Sequence, residues 1–230
     1  MLHINIRHIF YIAFIPGLLA FLMILSVKQK QNITKTPLPK FRLNQLPGAY
    51  WKYLFAIGLF TIGNSSNAFL ILRAKNIGIP LEATILIYAA FNLIAALSSY
   101  PAGSLSDKFG RKNILIFSMI IFAITYLGFA LSRSFFTVAF LFALYGIYQG
   151  IFRAVGKALA TDLTPLSIRS TGIGIYSSTI GICSLVASIV AGQLWDKINP
   201  SATFIYGFIF SIIGVFALLL LTKNKLLLPD

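Results

Sequence analysis

The chain reads as long apolar runs separated by short polar gaps. Seven runs approach or exceed the roughly 20 residues a membrane-crossing helix needs: 8–26, 51–72, 84–103, 113–132, 135–157, 169–192 and 202–222. Each is apolar around its circumference rather than along one stripe, as expected of helices with no water-facing side. Strands of a spanning barrel alternate apolar and polar residues, and these runs do not. The pattern predicts an all-α polytopic membrane protein. The 8–26 run follows a short basic flank (His3, Arg7, His8). It is long for a signal-peptide core, and no small-x-small cleavage pattern leads from it into a soluble domain. It reads as a retained helix.

The gaps divide the chain into an N-terminal helix (1–26), a linker (27–50) and a group of six helices (51–225). The linker carries Lys, Asn, Gln and Thr, three prolines (Pro37, Pro39, Pro47) and no acid. That composition suits an extended connection lying on the membrane surface.

Composition sharpens this picture. Hydrophobic residues make up 58% and charged residues 10%, against about 45–50% and about 25% in soluble domains. A net charge of +14 on a chain of mean hydropathy +0.86 leaves charge confined to the gaps. Alternate gaps share it unequally. One side collects fourteen Lys and Arg, from 28–52, 108–112, 153–169 and 223–225, and the other holds five: Arg7, Arg73, Lys75, Arg133 and Lys197. The positive-inside rule makes the first side cytoplasmic, with the N-terminus outside and the C-terminus inside. The expected location is a plasma membrane, as in a bacterial inner membrane. The basicity is thus a topology signal, and anionic headgroups are natural partners for 28–52. Nucleic-acid binding would need a basic face on a soluble module, and none is offered.

The chemistry is sparse. Cys183 is the single cysteine, which excludes an internal disulfide and a Cys-rich metal site. No His/Cys/carboxylate cluster has ligand spacing, no nucleophile and base pair up, and His3 and His8 sit near the outer interface. No enzyme, metal or cofactor is expected. Polar residues inside the runs are the candidates for function, because such groups face the bundle or water rather than lipid. They are Asn64, Ser66 and Asn67 in the second run, Tyr88 and Asn92 in the third, and Tyr145, Tyr148, Gln149 and Arg153 in the fifth. Asn64 and Asn67 are three apart, so one helical face would carry both. The runs 8–26, 113–132 and 202–222 are almost wholly apolar and are expected at the periphery. Asp107, Asp162 and Asp196 lie at interfaces, leaving no acid in the membrane interior as a proton carrier. Two stripes of small residues permit close helix contact: Gly146, Gly150, Ala154 and Ala158, and Ser177, Gly181, Ser184, Ser188 and Gly192. They serve either static packing or sliding.

The gap Gly103-Ser-Leu-Ser-Asp107-Lys-Phe-Gly110-Arg111-Lys112 resembles the G-x-L-[AS]-D-[KR]-x-G-[RK]-[RK] signature of the major facilitator superfamily, which joins helices two and three and again helices eight and nine. Tyr145-Gly146, Phe152-Arg153-Ala154-Val155-Gly156-Lys157-Ala158 and Asp162-x-x-Pro165-x-x-x-Arg169 resemble the family's helix ten to eleven region, and Gly63–Leu70 its seventh helix. The resemblance covers nearly the whole chain. It implies helix six followed by a six-helix C-terminal half bundle, with the first five helices missing. Asn67 stands where similar sequences often carry an acid, and an amide does not titrate. Ser170 replaces a Gly or Ala, at little cost.

Within the motif, Gly103 permits close approach by a neighbouring helix, and Gly110 suits a turn at positive φ. Arg111 and Lys112 anchor the next helix and pair with Asp107. The acid-turn-base order recurs in Asp162, Pro165 and Arg169. The two gaps should lie side by side, joining Asp107, Arg111, Asp162 and Arg169 in a network that selects conformational states. In the family the residue equivalent to Asp107 contacts the fifth helix of the other half and helps hold the outward-open state.

The resemblance implies transport of a small solute, of unspecified identity, by alternating access between two six-helix repeats. This chain offers one of them. A second chain supplying the missing half, or a homodimer, would complete the cavity. The alternative is a non-transporting membrane remnant or an interaction partner of a split transporter.

Overall fold

A computed structural model describes residues 43–221 and four isolated helical positions, Phe14, Leu18, Leu22 and Met23. The rest of the expected 8–26 helix, and the linker up to residue 42, lie outside the described residues. The chain divides into two units, Met1–Lys40 and Phe41–Asp230.

The helices of the second unit are α1 (Gly48–Ile62), α2 (Ala68–Asn76), α3 (Leu81–Phe109), α4 (Arg111–Leu131), α5 (Phe135–Asp162), α6 (Arg169–Lys197) and α7 (Pro200–Leu221). No strand occurs among the described residues. Helices α3 to α7 are each long and apolar enough to cross a membrane. The 51–72 run, expected as one helix, is two. At 15 residues α1 reaches only about 22 Å, short of the roughly 30 Å hydrocarbon core. The break falls on Gly63-Asn64-Ser65-Ser66-Asn67, residues that favour turns and caps over helix interiors.

The freed backbone groups find partners. Gly63 N–H donates to Phe60 O at 3.0 Å and Asn64 N–H to Thr61 O at 2.9 Å. Ser66 N–H donates to Ser188 Oγ on α6 at 3.1 Å, and Ala68 N–H to Ser66 Oγ at 3.3 Å. Glycine at the break lets α7 come very close. A Cβ on Gly63 would lie 2.6 Å from Phe210 Cβ and 2.9 Å from Gly207 O, so only glycine fits.

The core lies between α1, α4, α5 and α7 and is built of rings. Phe122 stacks on Tyr126 at 4.0 Å and meets Phe60 and Tyr148 edge-on, each at 4.9 Å. Phe204 of α7 stacks on Phe129 at 5.5 Å. The helices of 113–132 and 202–222, expected at the periphery, each bury one face here and keep an exposed apolar one. In this unit α4 buries Leu115, Met119, Phe122, Tyr126 and Phe129, while the more polar α3 buries only Thr84, Phe91, Ala102 and Ser106. Aromatic volume sets the centre here, and the polar helices flank open space. The bundle also begins before residue 51: Tyr50 is fully buried and its hydroxyl donates to Gly172 O at 2.6 Å.

The small residues of α5 make a close contact with α3. A Cβ on Gly146 would lie 2.8 Å from Phe91 O, and one on Gly150 would collide with Ala95 O. The α6 stripe behaves differently: a Cβ on Gly181 would meet nothing within 4 Å. It fronts a cavity instead of a helix.

Candidate functional site

The break between α1 and α2 faces the middle of α5, and side chains knit the two together. Tyr145 Oη donates to Asn67 Oδ1 at 2.9 Å and lies 3.4 Å from Asn64 Oδ1. Asn64 Nδ2 donates to Tyr148 Oη at 2.9 Å, and Asn67 Nδ2 to Gln149 Oε1 at 3.5 Å. Asn64 and Asn67 therefore converge because the helix is broken between them, not because they share a helical face. Ser65 Oγ lies 3.3 Å from Tyr126 Oη in the aromatic core. Ser188 Oγ accepts from Ser66 N–H and donates to Ser184 O at 2.8 Å.

This belt walls an open cavity of about 560 Å³ between the break, α5 and α6. Asn64, Ser66, Asn67, Tyr145, Tyr148, Gln149 and Arg153 all line it. Tyr88 does not. It is half-buried, and its ring lies 5.2 Å from that of Phe91. Asn92 is exposed and donates to Tyr88 O in its own helix at 2.8 Å. It lines a smaller cavity of about 180 Å³ that shares Gln149 and Arg153 with the first. Sequence reasoning missed Ser65, Phe152, Lys157, Tyr176, Ser184 and Ser188 on the main wall. The two α6 serines were legible only as small residues at helical spacing. The lining contains no acid.

The motif sits at one end of the bundle. Residues 103–109 belong to the last turns of α3, so the turn is the single residue Gly110, at φ 86°. Positive φ there is open to glycine at little cost. Gly103 makes no close approach in this unit, since a Cβ there would meet nothing within 4 Å. Arg111 bridges two acids: its Nη1 lies 2.9 Å from Asp162 Oδ2 and its Nη2 lies 3.5 Å from Asp107 Oδ1. The α3–α4 corner and the end of α5 are thus joined by one guanidinium. Arg169 does not enter the group. It starts α6, and its Nε is buried without a hydrogen-bond partner among the described residues.

At the opposite end, a second arginine has a role the sequence did not announce. Arg73 is 8% exposed and donates from Nε to Phe129 O at 3.0 Å. Its Nη2 donates to Ala130 O at 3.1 Å and Ser132 O at 3.2 Å, and its Nη1 to Asn76 Oδ1 at 3.2 Å. The C-terminus of α4, with its unsatisfied carbonyls and negative dipole end, takes the place of a carboxylate. Helix α2 is clasped to α4 through this side chain.

A bundle of apolar helices, with a polar cavity at a helix break and an acid–arginine–acid bridge at one end, is the build of an integral multi-pass membrane protein. The profile of the Major Facilitator Superfamily matches residues 53–228, and the chain belongs to that family. It is 35% identical over 225 residues to an uncharacterized MFS-type transporter of Methanocaldococcus jannaschii, covering 95% of this chain and 56% of that protein. It is 27% identical over 152 residues to an uncharacterized MFS-type transporter of Bacillus subtilis, covering 66% and 39%. It is 32% identical over 127 residues to the class H tetracycline resistance protein of Pasteurella multocida, covering 54% and 30%. The chain spans between about a third and just over half the length of these relatives.

Proposed function

We propose that this chain forms one half of a secondary transporter, with a small solute bound in the cavity at the α1–α2 break. The observation that carries the reading is the cavity's position. It is built at mid-helix on α5, against a discontinuous helix, where transporters of this architecture hold substrate. Asn64 and Asn67 line the cavity while bonded to α5, and Ser66 lines it with its side chain exposed.

The cavity wants a second wall. Ser66, Gly181, Arg153 and Lys157 are exposed in this unit, and polar groups facing hydrocarbon are costly. A second six-helix unit, supplied by another chain or by a second copy of this one, turns that face into an aqueous passage. Rocking of the two units exposes it alternately to each side. The basic Asp107 end then lies in the cytoplasm, with the fourteen-to-five split of Lys and Arg setting the orientation in the plasma membrane. In this arrangement the Asp107–Arg111–Asp162 bridge helps set the balance between conformations.

The test is solute uptake into proteoliposomes holding the purified chain, compared with Asn67→Ala and Tyr145→Phe, across a panel that includes tetracycline. Uptake of one or more solutes that falls in both variants is the expected result. Undiminished uptake in both variants would remove the cavity from the path. Absence of uptake, both alone and with a co-expressed complementary half, would leave a non-transporting membrane protein.

A further inference from the structure

We propose that the cavity receives an organic anion, a carboxylate or similar oxyanion on an apolar body; this rests on the reading of the cavity as a solute site. Four side chains of α5 at intervals of four line it: Tyr145, Gln149, Arg153 and Lys157. Successive members are about 6 Å apart along the axis, so the stripe grades from aromatic at mid-helix to cationic at the Asp107 end.

The two halves of the stripe differ in what they still need. Tyr145 and Gln149 are engaged with Asn67. Arg153 and Lys157 have no carboxylate in reach among the described residues, where both ion pairs belong to Arg111. Of the chain's five acids, Glu82, Asp107, Asp162 and Asp196 are described, and none lines the cavity. Among the described residues, two cations thus face a concave space with no counterion.

Basic residues at a helix end commonly serve as topology anchors facing lipid headgroups. These two differ in lining a cavity that they share with Tyr148, Phe152 and Tyr176. Those rings are themselves buried, and Ile180 and Leu185 on the same lining offer the apolar surface to a ligand's body, while a guanidinium is suited to bidentate recognition of an oxyanion. A cationic solute would meet two like charges and no acid.

The experiment uses the purified full chain in phosphatidylcholine nanodiscs and three radiolabelled probes of one shape: 2-naphthoate, neutral 2-naphthamide and 2-naphthylmethylammonium. Naphthoate should bind at least about tenfold more tightly than naphthamide, a difference of about 1.4 kcal/mol, and the ammonium should bind weakest. Arg153→Gln should lower naphthoate affinity by about tenfold and leave naphthamide unchanged, with Lys157→Gln having a smaller effect in the same direction. Arg153→Lys should keep naphthoate tighter than naphthamide while losing the part of the affinity that the planar fork supplies, which separates charge from folding. Equal or tighter binding of the amide or the ammonium overturns the charge assignment while leaving a solute cavity in place. Failure of all three to bind overturns the cavity reading too. A further arm adds phosphatidylglycerol: loss of naphthoate binding there would mark the pair as a lipid-headgroup site and defeat the proposal.

Discussion

Arg73→Met removes the clasp between α2 and α4 while keeping most of the side chain's length. Four hydrogen bonds from a buried guanidinium disappear. Bonds from charged donors contribute about 1.5–3 kcal/mol each, so the three to carbonyls at and just past the end of α4 carry roughly 5–9 kcal/mol gross. Two effects offset this. Ala130 O keeps a bond from Ser201 Oγ at 2.8 Å and Phe129 O one from Ser132 Oγ at 3.2 Å, and burying methionine avoids the desolvation of a cation. A net loss of about 2–4 kcal/mol remains, or a fall in Tm of roughly 4–16 °C for a chain of this size. Cys183 is half-buried and is the only cysteine. A thiol-reactive fluorogenic dye therefore reports unfolding directly during a temperature ramp. Arg73→Lys should recover less than half of the loss, because an ammonium is a point donor without the planar fork. A Tm change for Arg73→Met under about 2 °C, or full recovery with lysine, would refute the clasp.

Three further outcomes are expected. Gly110→Val should cost about 1–3 kcal/mol by the same dye assay, since a β-branched residue is forced to φ 86°. Gly150→Leu should drive α5 away from Ala95 O and destabilise by at least about 1–3 kcal/mol, seen as loss of the monodisperse peak in size-exclusion chromatography. Arg111→Gln should change thermal stability by less than about 1 kcal/mol, because both of its ion pairs are semi-exposed. A larger loss would give the bridge a structural weight this geometry does not.

Helix positions were largely legible because hydrophobic run length is a local property. The runs at 113–132 and 202–222 became α4 and α7 within two residues at either end. What those helices touch was not legible. Phe122, Tyr126 and Phe129 look lipid-facing in a uniformly apolar run, and only packing against Phe60, Tyr148 and Phe204 places them in the core. The break after Ile62 had its breakers in plain sight, but an apolar run averaged over 22 residues hides five polar-leaning ones. Arg73 read as a loop charge, because its partners are carbonyls that no sequence pattern advertises. On the cavity wall, the asparagines and tyrosines stood out as polar in an apolar setting. Ser184 and Ser188 did not, since serine at helical spacing signals packing as readily as lining.

The one-residue corner at Gly110 has a mechanical consequence. Helices α3 and α4 meet there with a single residue between them. As a rod of 21 residues, α4 is about 31 Å long, and its far tip is gripped by Arg73. Arg73 stands six residues beyond Asn67, on a half-helix too short to absorb strain by bending. The Asp107 corner and the amide that holds Tyr145 are thus linked, across the thickness of the bundle, through α4, the Arg73 grip and α2.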